Sequence, residues 1–401
     1  METTTYKISD IGEVVGGGTP STANSDFWGG DIPWISPKDL TGYKSVYISH
    51  GESFLTKTGL KSGTKLLPKG TVLFSSRAPI GYVAIASNPI CTNQGFKSII
   101  CNKEIINPLF LYYYIKGNLD YIKLFGTGAT FPEISGAAMR KIKVQIPTLP
   151  TQQKIASILS SYDRLIENNT RRIRLLEQMA ENLYKEWFVR FRFPEHEKVE
   201  MVNGLPKGWE RTKLIKNIKT SSGGTPSRNK GEYYKNGTIP WIKTGELQDC
   251  ILINTEECIT EDAVNNSSAK LFPKGTLLMA MYGVNVGKLG ISEIEATCNQ
   301  ACCVFTPKHI DYKYYLFHYL KSIREYLLSI SFGAAQQNLS QELIKSIRIL
   351  FPDEKTNISF IKEVEPLFKE ISIIQQQNQL LTRQRDLLLP RLMSGKLEVK
   401  S

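Results

Sequence analysis

Residues 151–188, TQQKIASILSSYDRLIENNTRRIRLLEQMAENLYKEWF, contain neither glycine nor proline. A stretch of that length without a breaker reads as one long helix. Ile155, Leu159, Tyr162, Ile166, Asn169, Ile173, Leu176, Ala180, Leu183 and Trp187 follow one another at alternating steps of four and three residues. This is a heptad seam, apolar at every position but Asn169, and it calls for a second helix along its length. At ~1.5 Å per residue the segment is roughly 57 Å long, the length of a spacer. The alternative is an amphipathic helix laid on a globular core.

The same steps return 205 residues later in Phe360, Val364, Leu367, Ile371, Ile374, Asn378, Leu381, Arg385, Leu388 and Leu392. Two matched seams in one chain predict that the helices pair with each other. Antiparallel pairing would leave a globular unit at each end. Pro366 is expected to kink the second helix or mark its start, and Pro390 to end or bend it. Polar Asn378 and Arg385 on the seam favour register and orientation over stability.

The repeat extends beyond the helices. A glycine-rich turn, GGGTPS at Gly16–Ser21, returns as GGTPS at Gly223–Ser227. Ile32–Trp34 (IPW) returns at Ile239–Trp241, Pro68–Thr71 (PKGT) at Pro273–Thr276, and Asn93-Gln94 at Asn299-Gln300. An aromatic helix at Pro108–Phe125 matches Tyr312–Leu328, the small-residue loop Gly126–Ser135 matches Phe332–Ser340, and the proline-ended strand Ile142–Pro150 matches Ile347–Pro352. The predicted fold is α+β. It has a first globular unit of mixed α/β character at 1–150, a long helix at 151–190, an exposed linker at 191–206, a second globular unit at 207–352, and a second long helix with a C-terminal tail at 353–401. Turn and strand landmarks persist between the copies while the residues between them differ, so two similar faces would carry different detailed preferences.

The formal charge of +12 is divided evenly. Residues 1–150 carry 15 basic and 10 acidic side chains, and residues 207–352 carry 18 and 13. Each unit is therefore +5, which suits a polyanion touched at two places. No apolar run approaches a membrane span and Met1–Asp10 is unlike a signal peptide. The seven cysteines include no CxxC pair, so reduced thiols in a cytoplasmic protein are expected, with no metal.

Catalytic patterns are missing. There is no P-loop, HExxH, GxSxG or aromatic-flanked Asn/Asp-Pro-Pro motif. The acidic residues of Pro352–Lys355 sit where a helix N-terminus attracts them. Phe125–Ala129 is a poor cofactor loop, and His50, His196, His309 and His318 are scattered. Nucleic-acid recognition fits better, because amide and basic side chains read base edges while lysines and backbone N–H groups hold phosphates. The loop candidates in the first unit are Thr19, Ser21, Lys38, Ser76, Arg77, Tyr82, Asn93, Gln94 and Thr130. Those in the second are Thr225, Ser227, Lys243, Tyr282, Asn285, Lys288, Asn299, Gln300, Gln336 and Gln337. Arg77, Gln336 and Gln337 lead for DNA contact. Asn at a strand entry also serves turns, and Trp34 and Trp241 read as turn or core elements.

The ordered motifs, with LYKEWFVRFRFP at the centre and LLLPRLMSGKLEV near the end, resemble the specificity subunit of type I restriction-modification systems. The resemblance covers the whole chain. It implies two target-recognition domains, each binding one half of a bipartite asymmetric site on double-stranded DNA. The helices would form an antiparallel coiled coil that sets the gap and docks two methyltransferase (modification) subunits, with motor-nuclease (restriction) subunits joining for cleavage. The chain itself would be non-catalytic and hold no cofactor, S-adenosylmethionine, ATP and Mg belonging to the partners. The rival is a two-headed protein-binding scaffold whose basic charge is incidental.

Overall fold

The computed structural model describes residues 2–128, 130, 132–330 and 338–399. The chain forms two compact units, Met1–Asn168 with Asn378–Ser401, and Asn169–Gln377. Both divisions fall inside long helices, Leu149–Tyr184 and Glu354–Met393. Each unit is thus a globular body plus a stretch of both helices.

In the first unit a five-stranded sheet runs in the order Gly12–Gly16, Lys97–Cys101, Val72–Phe74, Val83–Ala86, Tyr47–Ile48. Its neighbours are antiparallel except the last pair. A three-stranded sheet, Ser53–Leu55, Trp28–Ile35, Cys91–Thr92, joins one antiparallel to one parallel pair. Thr4–Lys7 pairs with Lys143–Ile146. The second unit has the same orders: Ile218–Ser222, Cys302–Pro307, Leu277–Ala280, Leu289–Ser292, Cys250–Leu252, then Cys258–Ile259, Ile239–Ile242, Thr297–Cys298, then Glu210–Lys213 with Arg348–Phe351. The central strands Val72–Phe74 and Leu277–Ala280 are buried throughout, which matches their unbroken apolar runs.

The expected single aromatic helix is two, Pro108–Gly117 and Leu119–Lys123. Asn118 separates them, its side-chain amide donating to Tyr114 O at 2.9 Å. Lys313–Ser322 and Arg324–Ile330 repeat the break.

No seam position of either long helix is exposed. In the first unit Ile155, Leu159 and Leu392 join a core with Phe110 and Tyr113. In the second, Ala180 and Trp187 join Phe360, Val364 and Ile371. The two sequence alternatives are therefore both present, because each helix serves as seam and as part of a globular core. Within the first unit Asp163 meets Arg385 at 2.5 Å, and within the second Arg172 meets Glu370 at 2.8 Å. Within the second unit Trp187 also meets Phe360, at 5.7 Å, so partner numbers fall along one helix as they rise along the other, the antiparallel sense.

Pro366 neither starts nor ends the second helix, and Pro390 lies inside it, three residues before Met393. An internal proline forfeits one backbone bond at a cost of about 3 kcal/mol. Exposed Pro366 is flanked by buried Val364 and Phe368, whose packing holds the helix together there. Past the first helix, residues 198–204 are exposed apart from half-buried Val199, as expected of the linker. Lys185–Val189 forms a π-turn, and Phe193 is 4% exposed, stacked on Trp209 at 5.4 Å. The acidic start of the second helix is a cap, as expected. Asp353 accepts from Thr356 N at 3.0 Å and from Trp209 Nε1 at 2.9 Å.

Two polar side chains tie the helices to their units. Gln152, fully buried, donates to Ile105 O and Pro147 O at 2.9 Å and accepts from Asn107 N at 2.9 Å. Asn357, 205 positions on and equally buried, donates to Asp311 O at 3.0 Å. The Arg385–Asp163 pair is similarly sheltered, with side-chain exposures of 16% and 10%, and Asp163 also accepts the Tyr113 hydroxyl.

Arg385→Ala is expected to destabilise the protein by about 3–5 kcal/mol, because it strands a buried carboxylate. Asp163→Leu combined with Arg385→Leu should recover most of that loss in denaturant titrations. Gly223 approaches so closely that a Cβ would lie 1.8 Å from Cys298 O. Gly223→Ala should cost on the order of 2–3 kcal/mol, whereas Gly231→Ala, with open space around it, should leave the melting temperature unchanged.

Candidate nucleic-acid interface

Four loops of the first unit are joined edge to edge by a short series of hydrogen bonds. Gly18 N donates to Thr92 O at 2.8 Å, and Trp34 Nε1 donates to Gly18 O at 3.0 Å. The Thr19 hydroxyl bonds the Gln94 amide oxygen. Gly95 N donates to Asn93 Oδ1 at 2.8 Å, closing an Asx turn. Ser76 N then donates to Gly95 O at 2.7 Å, and Ile134 N to Ser76 O at 3.0 Å. The sequence dictates the tightness at the start of the series. A Cβ on Gly17 would meet Asn93 O at 2.1 Å, so only glycine lets the turn lie against the Asn-Gln strand entry.

Every link recurs in the second unit. Gly224 N reaches Cys298 O at 2.9 Å, Trp241 Nε1 reaches Gly224 O at 3.0 Å, and Thr225 bonds Gln300. Ala301 N donates to Asn299 Oδ1 at 3.1 Å, Met281 N to Ala301 O at 2.8 Å, and Leu339 N to Met281 O at 2.9 Å.

This frame gathers most of the sequence candidates and sets some aside. Thr19, Ser21, Gln94, Ser227 and Gln300 are exposed on it, with Thr225 half-buried beside them. Arg77 is 39% exposed and Tyr282 40%. Thr130 is exposed. Ser76 is fully buried, its hydroxyl donating to Gly95 O at 3.1 Å, and Asn285 is 6% exposed, its amide donating to Thr244 O and Gly245 O. Both side chains are buried and committed to backbone carbonyls, unlike the exposed candidates. Asn93 and Asn299 spend their side-chain oxygens on turns. Tyr82 packs on the core, and Lys288 donates to Gln248 Oε1 at 2.6 Å. Gln336 and Gln337 lie outside the described residues.

Lys38 and Lys243 are not at matching positions. Lys243 follows Ile242 directly, as Ser36 follows Ile35, yet both lysines end on the corresponding glutamate. Lys38 pairs with Glu52 and Lys243 with Glu256, each at 2.9 Å. The hydrogen bond to that carboxylate holds each ammonium above its ordinary pKa.

Three charged groups were missed. Glu133 lies 3.5 Å from Arg77 Nη1 and 3.2 Å from Lys97 Nζ. Lys97 Nζ also donates to Gln94 O at 3.2 Å. In the second unit Arg228 pairs with Glu257 at 2.8 Å and stacks over Tyr234 and Trp241 at 4.2 and 4.9 Å. Arg228 follows the GGTPS turn directly and was findable. Glu133 carried no local signal, since its partners are 36 and 56 residues away.

Because the frame repeats, its positions can be matched one to one. Arg77, Lys97 and Glu133 correspond to Tyr282, Cys303 and Asn338. One frame thus carries two cations and an anion, and the other carries none of these charges.

Among the described residues no His, Cys, Asp and Glu group could hold a metal ion, and no helix is long and apolar enough to cross a membrane. All seven cysteines are unbridged, and burial pushes the Cys91 thiol up to about 11.

Comparison with known proteins agrees with the repeat. The family described as type I restriction modification DNA specificity domain matches twice, at residues 1–178 and 206–383. The type I restriction enzyme MjaIX specificity subunit of Methanocaldococcus jannaschii is 36% identical over 98% of this chain and 93% of its own. The HindI specificity subunit of Haemophilus influenzae is 26% identical, covering 83% and 88%. The crystal structure of a type I restriction-modification S subunit from M. genitalium shares the fold, with a TM-score of 0.64 and 17% identity over 98% and 96% of the two chains. None of these relatives favours a protein-binding scaffold. The chain belongs to the type I restriction-modification DNA specificity family, with two copies of its domain in tandem.

Proposed function

We propose that each globular unit reads one half of a bipartite DNA site through its four-loop frame. The observation that carries this reading is the repetition of every frame hydrogen bond with different side chains mounted on it. Equivalent loops would approach DNA in the same way, while Arg77 and Lys97 in one unit and Tyr282 in the other meet different base edges. Surface ion pairs are worth about 0–1 kcal/mol, so Lys38, Lys243 and Arg228 exchange their glutamates for phosphate at little cost. Release of counterions from the duplex drives that exchange.

The long helices would set the gap between half-sites and dock two methyltransferase subunits. In the first unit Leu380 and Leu387 stay 60% and 55% exposed at a seven-residue step, and in the second Leu175 and Met179 stay 59% and 52% exposed. Such uncovered apolar positions on helices suit partner helices. S-adenosylmethionine, ATP and Mg would enter with the methyltransferase and motor-nuclease subunits.

Co-expression with the methyltransferase subunit, followed by single-base methylation mapping, should reveal a split motif with methylated adenines on opposite strands at one fixed gap. An assembled complex that adds no methyl groups would refute the reading. Deleting one heptad from each helix in register should change the gap, and an unchanged gap would refute the spacer role. Glu133→Gln should free Arg77 and Lys97. Its log–log salt dependence on a random-sequence duplex should steepen by about 1–2, with tighter non-specific binding at low salt. An unaltered slope would mean that neither cation reaches phosphate.

A further inference from the structure

Three residues that meet in the first unit have counterparts 205 positions away in the second. Tyr113, on the aromatic helix, corresponds to His318. Asp163 corresponds to Phe368, and Arg385 corresponds to Ala180. In the first unit the three form a closed polar set, in which Arg385 holds Asp163 and Asp163 accepts the Tyr113 hydroxyl.

The second unit loses two of the three groups. Ala180 supplies no guanidinium and Phe368 no carboxylate. His318 remains, 4% exposed between Tyr184, stacked at 5.5 Å, and Phe368, edge-on at 6.0 Å. Among the described residues neither ring nitrogen has a hydrogen-bond partner. Burial holds its pKa down at about 3, so the ring is neutral and keeps one acceptor nitrogen. A cavity of ≈ 210 Å³ adjoins it, lined by Glu177, Ala180, Asp249, His318, Lys321 and Phe368 among others.

Two of the carboxylates at this cavity are held in ion pairs and one is not. Lys321 is held by Glu181 at 2.9 Å, as is Lys185 at 2.6 Å, and Asp249 is held by Arg324. Glu177 makes no ion pair or hydrogen bond among the described residues, and Lys321 and Arg174 act on it only at longer range. A carboxylate without a direct ion pair, an acceptor nitrogen and the Phe368 side chain thus line one cavity, beside Ala180, the counterpart of the first unit's Arg385.

We propose that this cavity binds a small planar cation of the guanidinium class, with Glu177 as its counter-charge, His318 as a hydrogen-bond acceptor and the Phe368 ring alongside. Planar N–H donors satisfy both acceptors at once, and the cation gains from the ring face. The site is independent of DNA contact, since none of its residues lies on the loop frame.

The test uses the full chain and methylguanidinium as the probe. The four histidines give few enough ring ¹⁵N signals to follow singly, and the His318 signal is the one missing from His318→Phe. Millimolar methylguanidinium should shift that signal saturably and raise the melting temperature. Tetramethylammonium, with equal charge and no N–H donor, should do neither. Glu177→Gln, a change at an exposed position, should abolish both responses. A His318 signal that ignores methylguanidinium, that moves equally with tetramethylammonium, or that responds unchanged in Glu177→Gln would overturn the proposal.

Discussion

Two apolar seams repeating every seven residues are the constraint on which the rest of the chain depends. Exposed, they would leave a row of isoleucines and leucines in water, at a penalty of roughly 1.5–3 kcal/mol for each large side chain. Covering them brings Ile155 and Leu159 into one core with Leu392, more than two hundred residues away. The second core likewise joins Ala180 and Trp187 to Phe360 and Ile371. The globular bodies therefore share their cores with the helices. The polar members of the seam are made tolerable by partners, as Arg385 is by Asp163. The fully buried Gln152 and Asn357 turn the first turns of the helices toward backbone carbonyls of their own units.

On this base the loops present the side chains that differ between the two units. The frame of glycine turn, Asn-Gln turn and neighbouring loops is built almost wholly from backbone and turn-forming groups, so its geometry does not depend on which exposed side chains it presents. Arg77 can become Tyr282, and Lys97 can become Cys303, without disturbing a single frame hydrogen bond. That separation of scaffold from reading surface is what a recognition module needs if its target is to change while its fold persists. The carboxylates opposite Lys38, Lys243, Arg77 and Arg228 keep the cations oriented and partly neutralised.

Much of the architecture was legible because it rests on periodicity and on turn chemistry, which are local. The 205-residue repeat, the seams, the glycine turns and the Asp353 cap could all be read in one pass. Pro366 and Pro390 mark neither a start nor an end of the second helix, and buried Val364 and Phe368 lie on either side of Pro366. The cover of Phe193 was not legible either, as nothing near it announces Trp209. Among the candidate contacts, Thr19, Gln94 and Arg77 fell on the frame. Ser76 and Asn285 matched in residue type but were turned inward, a choice made by strand register and loop length.

The sequence by itself determined that two similar bodies and two long helices exist and where their turns and caps lie, because heptad spacing, glycine and proline act within a few residues. Only the tertiary structure decided which polar groups are paired, which are buried, and which remain without a partner. Glu133 meets Lys97 and Arg77, and His318 faces a cavity where Tyr113 meets a carboxylate, through contacts between segments distant in the chain. Such contacts depend on three-dimensional packing, for which a one-dimensional pattern holds no signal.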